Sequence, residues 1–276
     1  MKLPIFQVDA FSDQLLRGNP AAICPLTEML PEQLMLSIAR ENNLSETAFL
    51  VGNDGEYRIR WFTPAFEVPL CGHATLASAV VIREFLEPGR DRVSFESASG
   101  TLGVTYEQGW YELDFPADPG VEVNAMPALT RSLGCEPVEI RQSDYYFAVF
   151  ESEQQVRDLK PDFASMMELD KFGVIVTAPG SDVDFVSRFF APQAGINEDP
   201  VTGSAHCTLT PYWSDRLGKD RLEARQISAR GGSLRCTMRG DRVGIAGQAA
   251  VYMQGEIRVP DIETGLIRDQ VVATGV

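Results

Sequence analysis

Glu46, His73, Asp199 and Ser204 are side chains whose types and settings suit proton transfer. Glu46 heads the apolar run Thr47-Ala48-Phe49-Leu50-Val51, which has the look of a strand. A carboxylate in that place, if it faces the interior, loses solvation. Desolvation lifts its pKa toward neutrality, where it can both take and return a proton. The alternative is a solvated charge at a strand edge. His73 directly follows Gly72, and Ser204 directly follows Gly203. His73 reads either as a polarising group or as a satisfied core histidine. Ser204 would equally serve as a helix N-cap, and Asp199, just before Pro200, would equally complement a helix dipole.

The two glycines belong to a repeat. Pro69-x-x-Gly72-x-Ala74 matches Pro200-x-x-Gly203-x-Ala205 at an offset of 131 residues. Upstream, Arg60-Trp61-Phe62-Thr63-Pro64 matches Arg188-Phe189-Phe190-Ala191-Pro192 at an offset of 128, so the second loop is three residues longer. Each loop delivers a glycine to the first turn of a helix. First-turn N–H groups lack intrahelical partners and carry the positive end of the helix dipole. Two such ends facing one cleft hold a carboxylate with no Lys or Arg. The plainer alternative is that both glycines only allow tight turns and close packing.

The elements that must position these residues follow from local pattern. Lys2 to Phe11 alternates in strand fashion, and a polar loop ending in Gly18-Asn19-Pro20 leads to the apolar strand Ala21-Ala22-Ile23-Cys24. Pro31 suits a first helical position, and Asn42-Asn43 ends that helix. Asp54-Gly55 predicts a hairpin turn between two strands. The stretch after Gly72, through Leu86, is rich in Ala, Leu and Val and reads as a buried helix. A three-strand meander over residues 92–116 comes next, then a turn-rich segment, 116–127, that is the best linker candidate. The second half repeats the order, with a helix from Gly203 and four closing strands. Residues 261–276 have weak periodicity and read as a tail. Two similar α+β units result, 1–117 and 118–276, with a cleft between them.

Composition narrows the function classes. The chain has 276 residues, 44% hydrophobic and 23% charged, an ordinary globular balance. Its net charge of −15 leaves no cationic excess for nucleic acid or an anionic membrane. No apolar run reaches the ~20 residues of a membrane helix, and the N-terminus does not read as a signal peptide. A cytoplasmic protein is expected. The five cysteines include no C-x-x-C pair, against a disulfide framework or zinc ribbon. A zinc site from Cys71, His73, His206 and Cys207 is disfavoured because adjacent residues point in different directions. Phosphate-binding loops and the G-x-S-x-G elbow are absent from the sequence. No metal and no cofactor are expected.

Gly18-Asn19-Pro20, Ser45-Glu46-Thr47-Ala48-Phe49, the run Phe-Thr-Pro-x-x-Glu-Val-Pro-x-Cys-Gly-His-Ala-Thr-Leu-Ala over 62–77, and Glu-Asp-Pro-Val-Thr-Gly-Ser-Ala-His over 198–206 occur in that order. In this combination, which spans nearly the whole chain, the sequence resembles the PhzF-like, or phenazine-biosynthesis-like, proteins. Residues 60–80 and the late Ala229-Arg230-Gly231-Gly232 look closest to the MAWD-binding-protein branch. The resemblance implies a diaminopimelate-epimerase-like fold. In that fold two pseudo-symmetric domains each wrap a curved, largely antiparallel sheet around a central helix. The final strand would cross back to the first domain. The resemblance also implies a cofactor-independent isomerase, a homodimer, and a small carboxylate-bearing substrate. The proton-shuttling glutamate of the best-understood member, which acts on dihydro-3-hydroxyanthranilate, matches Glu46, and its assisting groups match His73, Asp199 and Ser204. The substrate-binding set matches Asn19, Gly72, His73, Gly203 and Ser204.

Related epimerases and racemases carry a cysteine at the start of each central helix. Cys71 occupies the first such place and Thr202 the second, and threonine is a poor proton carrier. A same-face proton shift by Glu46 is therefore favoured over two-base inversion, and Cys71 reads mainly as a small buried residue. Two alternatives remain: a carboxylate-binding or protein-interaction protein without turnover, and a Cys71-dependent epimerase or racemase.

Overall fold

The computed structural model describes residues 1–124 and 126–261. The first half runs β1 (Lys2–Ala10), β2 (Asn19–Pro25), α1 (Glu32–Asn42), β3 (Glu46–Asn53), β4 (Glu56–Phe62), β5 (Glu67–Val68), α2 (Gly72–Val81), β6 (Arg92–Ser97), β7 (Gly100–Glu107), β8 (Trp110–Pro116) and β9 (Val121–Glu122). The second half runs α3 (Pro127–Leu133), β10 (Glu139–Gln142), β11 (Tyr146–Val149), α4 (Glu153–Asp158), α5 (Phe163–Met166), β12 (Val174–Pro179), β13 (Phe185–Ala191), β14 (Ile196–Asp199), α6 (Gly203–Leu217), β15 (Arg221–Gln226), β16 (Gly232–Arg239), β17 (Arg242–Gly247) and β18 (Ala249–Arg258).

The repeat read from sequence is a repeat of strand pairing. β2 pairs β3 in parallel, β3 pairs β4 antiparallel, and β4 pairs β5 antiparallel and β6 in parallel. In the second half β11–β12, β12–β13, β13–β14 and β13–β15 repeat those four relations in the same senses. Antiparallel meanders β6–β7–β8 and β15–β16–β17 close each half, and β8 pairs β17 to join them. The strand after each meander pairs the first strand of the other repeat: β9 with β10, and β18 with β1.

Local chemistry explains the turns that matter. Asp54 (φ 52°) and Gly55 (φ 78°) both take the left-handed conformation that a two-residue hairpin requires. Asn43 ends α1 in the same conformation. Pro31 is not the first helical residue but the N-cap, in an extended conformation. α2 stops at Val81 and continues as one π-helical turn, Ile82–Leu86, so the expected longer helix ends five residues early. The linker candidate is also not wholly irregular, since it contains β9. Of the expected tail only Asp261 lies within the described residues.

Both central helices are interior. Every residue of α2 from His73 to Val81 is buried, which fits a helix that is apolar on all sides. α6 buries Ala205, Leu209 and Trp213 against the curved sheet of its own half. One apolar cluster contains residues of both helices and both halves, from Phe6 and Trp61 to Trp213 and Ile245. Separate clusters lie under α1 and under α3 to α5. No described helix is long and apolar enough to cross a membrane.

Candidate active site

The starts of α2 and α6 abut. A Cβ built on Gly72 would stand 3.6 Å from the Cα of Gly203, and the converse distance is also 3.6 Å. The glycines therefore lie on the axis relating the two halves, each beside a residue in an extended N-cap conformation, Cys71 or Thr202. Ser204 is the second helical residue and not the cap.

Around this junction a polar group forms inside the core. Asn19, at the head of β2, is fully buried. Its Nδ2 donates to Asp199 Oδ1 and to the Val201 carbonyl, each at 2.9 Å, and approaches His73 Nδ1 at 3.3 Å. Asp199, the last residue of β14, also accepts from Thr202 Oγ1. Gln226 braces the same loop: its Oε1 accepts from the Thr202 N–H at 2.8 Å and its Nε2 donates to the Asp199 carbonyl at 2.8 Å. Asp199 is thus a braced acceptor and not only a charge near a helix end.

Glu46 enters from the first residue of β3, paired opposite Ala21. Its Oε2 lies 3.2 Å from His73 Nε2, with side-chain exposures of 15% and 7%. Burial chiefly, with the negative charge of Asp199 second, pushes the Glu46 carboxyl up to about 8, against a smaller opposing effect from Cys71. Burial likewise raises Asp199 to about 6 despite its bonds from Thr202 and Asn19. It lowers His73 to about 3, so the imidazole is neutral. The same burial, with the Glu46 charge behind it, holds the Cys71 thiol well above its ordinary range.

The histidine tautomer follows. Its Nδ1 lies 3.3 Å from the Asn19 amide nitrogen and 3.5 Å from the Cys71 sulfur. A proton on Nδ1 would point at the Asn19 amide nitrogen, which cannot accept it, so the tautomer with the proton on Nε2, facing Glu46, is favoured. The contact nevertheless lacks hydrogen-bond alignment. Asn19 Oδ1, Glu46 Oε2 and His73 Nε2 are all buried and without a hydrogen-bond partner among the described residues. Native proteins seldom leave such atoms unpaired, and the group they form is the candidate site.

The structure brings Asn19, Glu46, His73 and Asp199 into one group and sets Gly72 against Gly203. Ser204 is not hydrogen-bonded to that group; it accepts from Tyr145 OH at 2.9 Å. Cys71 is closer to the chemistry than its reading as a small buried residue allowed, because its donor atom lies within 4.8 Å of those of Glu46 and His73. His206 is not part of this trio: it is fully buried with Nδ1 on the Thr202 carbonyl at 2.8 Å. Gln226 and Tyr145 were missed. Gln226 ends β15 and Tyr145 immediately precedes β11, both far from Glu46 in the chain, and neither stands in a motif that could have flagged it.

Comparison with known proteins places the chain. A family model described as phenazine biosynthesis-like protein matches residues 8–255. An uncharacterized isomerase of Pseudomonas aeruginosa is 50% identical over 259 residues, 94% of this chain and 100% of the relative. The human phenazine biosynthesis-like domain-containing protein is 39% identical over 291 residues, 93% of this chain and 99% of its own. A crystal structure of a PhzF-family phenazine biosynthesis protein from Enterococcus faecalis superposes with a TM-score of 0.91 at 45% identity, covering 94% of this chain and 100% of that one. A hydroxyproline epimerase of Agrobacterium vitis, solved with trans-4-hydroxy-L-proline, shares the fold at a TM-score of 0.62 and 11% identity, covering 95% of this chain and 94% of that one. The architecture is the α+β, diaminopimelate-epimerase-like fold.

Proposed function

The chain belongs to the phenazine biosynthesis-like protein family, and from that membership we propose that it is an isomerase that moves a proton on a small carboxylate- or amino-acid-like substrate through Glu46. The observation that carries this reading is the buried pair Glu46 Oε2 and His73 Nε2, 3.2 Å apart and both without a hydrogen-bond partner among the described residues. The names of its relatives, which include isomerases, support the reaction class.

In this reading the backbone N–H groups at the starts of α2 and α6, around Gly72 and Gly203, hold the substrate carboxylate. The Glu46 carboxylate takes a proton from a substrate carbon, leaving the electron pair delocalised on the substrate. It then returns the proton to a different carbon, so neither electrons nor protons are gained overall. The His73 Nε2–H and the Ser204 hydroxyl stabilise the developing negative charge. Asp199 orients Asn19, which faces His73. The work is divided between the two units, 1–117 and 118–276, with no organic cofactor or metal. A homodimer is part of the same proposal, and sedimentation of the full chain tests it.

Solvent exchange tests the chemistry. Wild type and Glu46→Gln are incubated in D₂O with trans-4-hydroxy-L-proline, dihydro-3-hydroxyanthranilate, itaconate and L-alanine, and the carbons are read by NMR. Exchange at one carbon in the wild type, reduced roughly 10²–10⁴-fold in Glu46→Gln, is expected. Equal exchange in the two proteins removes Glu46 as the base. Binding of a probe without any exchange favours a carboxylate-binding protein. Because Glu46, Cys71 and His73 offer donor atoms within 4.8 Å of one another, a spacing a divalent ion could also use, the assay is repeated with EDTA, and unchanged exchange is expected.

A further inference from the structure

Strand register aligns the two halves around Glu46. Thr47 pairs Phe62 in the first half as Val174 pairs Phe190 in the second. Ala22 lies beside Thr47 as Tyr146 lies beside Val174. Stepping back one residue on each strand, Glu46 corresponds to Gly173 and Ala21 to Tyr145. Likewise Gly72 corresponds to Gly203 and His73 to Ser204.

Gly173 leaves no room for a side chain unless the neighbouring rings shift. A Cβ there would come within 2.6 Å of both Tyr145 Cδ1 and Phe189 Cζ. The space that the Glu46 side chain uses in the first half is filled in the second by the Tyr145 ring, edge-on to Phe189 at 5.0 Å and to Phe172 at 5.4 Å between centroids. Its hydroxyl donates to Ser204 Oγ at 2.9 Å. Tyr145 thus bears the relation to Ser204 that Glu46 bears to His73. Ser204, having accepted that bond, has no acceptor for its own proton among the described residues.

We propose that Tyr145 is a positioning residue, whose phenol fixes Ser204 so that the serine proton is presented to the bound carboxylate-bearing substrate from the half opposite Glu46. This rests on the proton-transfer function proposed above and adds to it the group that aims its anion-stabilising hydroxyl. Burial keeps the Tyr145 phenol protonated, which suits a permanent donor. The wall facing Glu46 then supplies hydrogen bonds and no second base.

Tyr145→Phe tests this, since it keeps the ring packing and removes only the donor. On the probe that the wild type exchanges fastest, kcat should fall about five- to tenfold with KM within twofold, the pattern of an interaction made in the transition state. A crystal structure of the variant should show Ser204 Oγ rotated from its wild-type rotamer. Wild-type kcat, or a rise in KM alone, overturns the proposal. If the wild type exchanges no probe, the proton-transfer function is what fails. The rotamer then decides for Tyr145: an unmoved Ser204 shows that the phenol does not position it.

Discussion

Asn19 and Asp199, 180 residues apart in the chain, are joined by a 2.9 Å hydrogen bond at the junction of the two halves. The same Asn19 nitrogen also donates to the Val201 carbonyl at 2.9 Å. One amide nitrogen thereby fixes the loop before α6 relative to β2 and also lies 3.3 Å from His73 Nδ1.

Asn19→Ala should therefore destabilise the fold by about 1–3 kcal/mol, because it leaves a buried carboxyl and a buried carbonyl without their donor. Urea unfolding with an unchanged m-value measures this. A loss below half a kcal/mol means that water or a shifted side chain replaces the amide.

Stability should depend on pH through Glu46. Its carboxyl has an ordinary value of 4.5 and is raised to about 8 in the folded protein. Between those values the folded chain holds a proton that the unfolded chain releases, so stability falls as pH rises from 4.5 to 8. Asp199, raised from 3.8 to about 6, adds a fall in the same direction over its own interval. Glu46→Gln removes the Glu46 contribution. Its Tm should match the wild type near pH 4 and exceed it near pH 8. Parallel Tm curves for the two proteins would show that Glu46 titrates normally. In the exchange assay, where Glu46 must be ionised to take a proton, the wild-type rate should rise as pH approaches about 8.

Cys71 separates the isomerase from a cysteine epimerase. Its thiol is buried and held well above its ordinary pKa, which makes it a slow nucleophile. Iodoacetamide should label Cys71 slowly at pH 7.5, as read by peptide mass spectrometry. Cys71→Ala should retain exchange within about tenfold, since the Glu46–His73 pair and the Asn19 contact to His73 Nδ1 do not depend on the thiol. Abolished exchange in Cys71→Ala, with Glu46→Gln still active, would make the thiol the base.

Much of this was legible in the chain itself. Hydrophobic alternation and the Asp54-Gly55 turn gave the strands, because those signals act over a few residues. The paired Pro-x-x-Gly-x-Ala loops exposed the repeat, because each must start a buried helix at the same point of the same frame. Glu46 stood out as a carboxylate heading an apolar strand, and His73, Asp199 and Ser204 because they stand beside the two repeated glycine-opened helix starts. Short edge pieces such as β5, β9 and β14 were not legible, since strands of two to four residues owe their form to a neighbour's unpaired backbone and not to their own pattern.

The tertiary structure alone decided what those residues face. Desolvation, which sets the Glu46 and His73 protonation states, depends on every chain segment packed over them, and no window of sequence contains those segments. Gln226 and Tyr145 reach the site only because β15 and β11 lie beside β13 and β12 in the sheet. The exchange of carboxylate for aromatic ring, Glu46 against Gly173 and Ala21 against Tyr145, is likewise invisible until strand register aligns the halves. Sequence fixes which side chains are available and the local form of their backbone. Only the fold fixes their distances, and electrostatics in a low-dielectric interior depends on distance and burial.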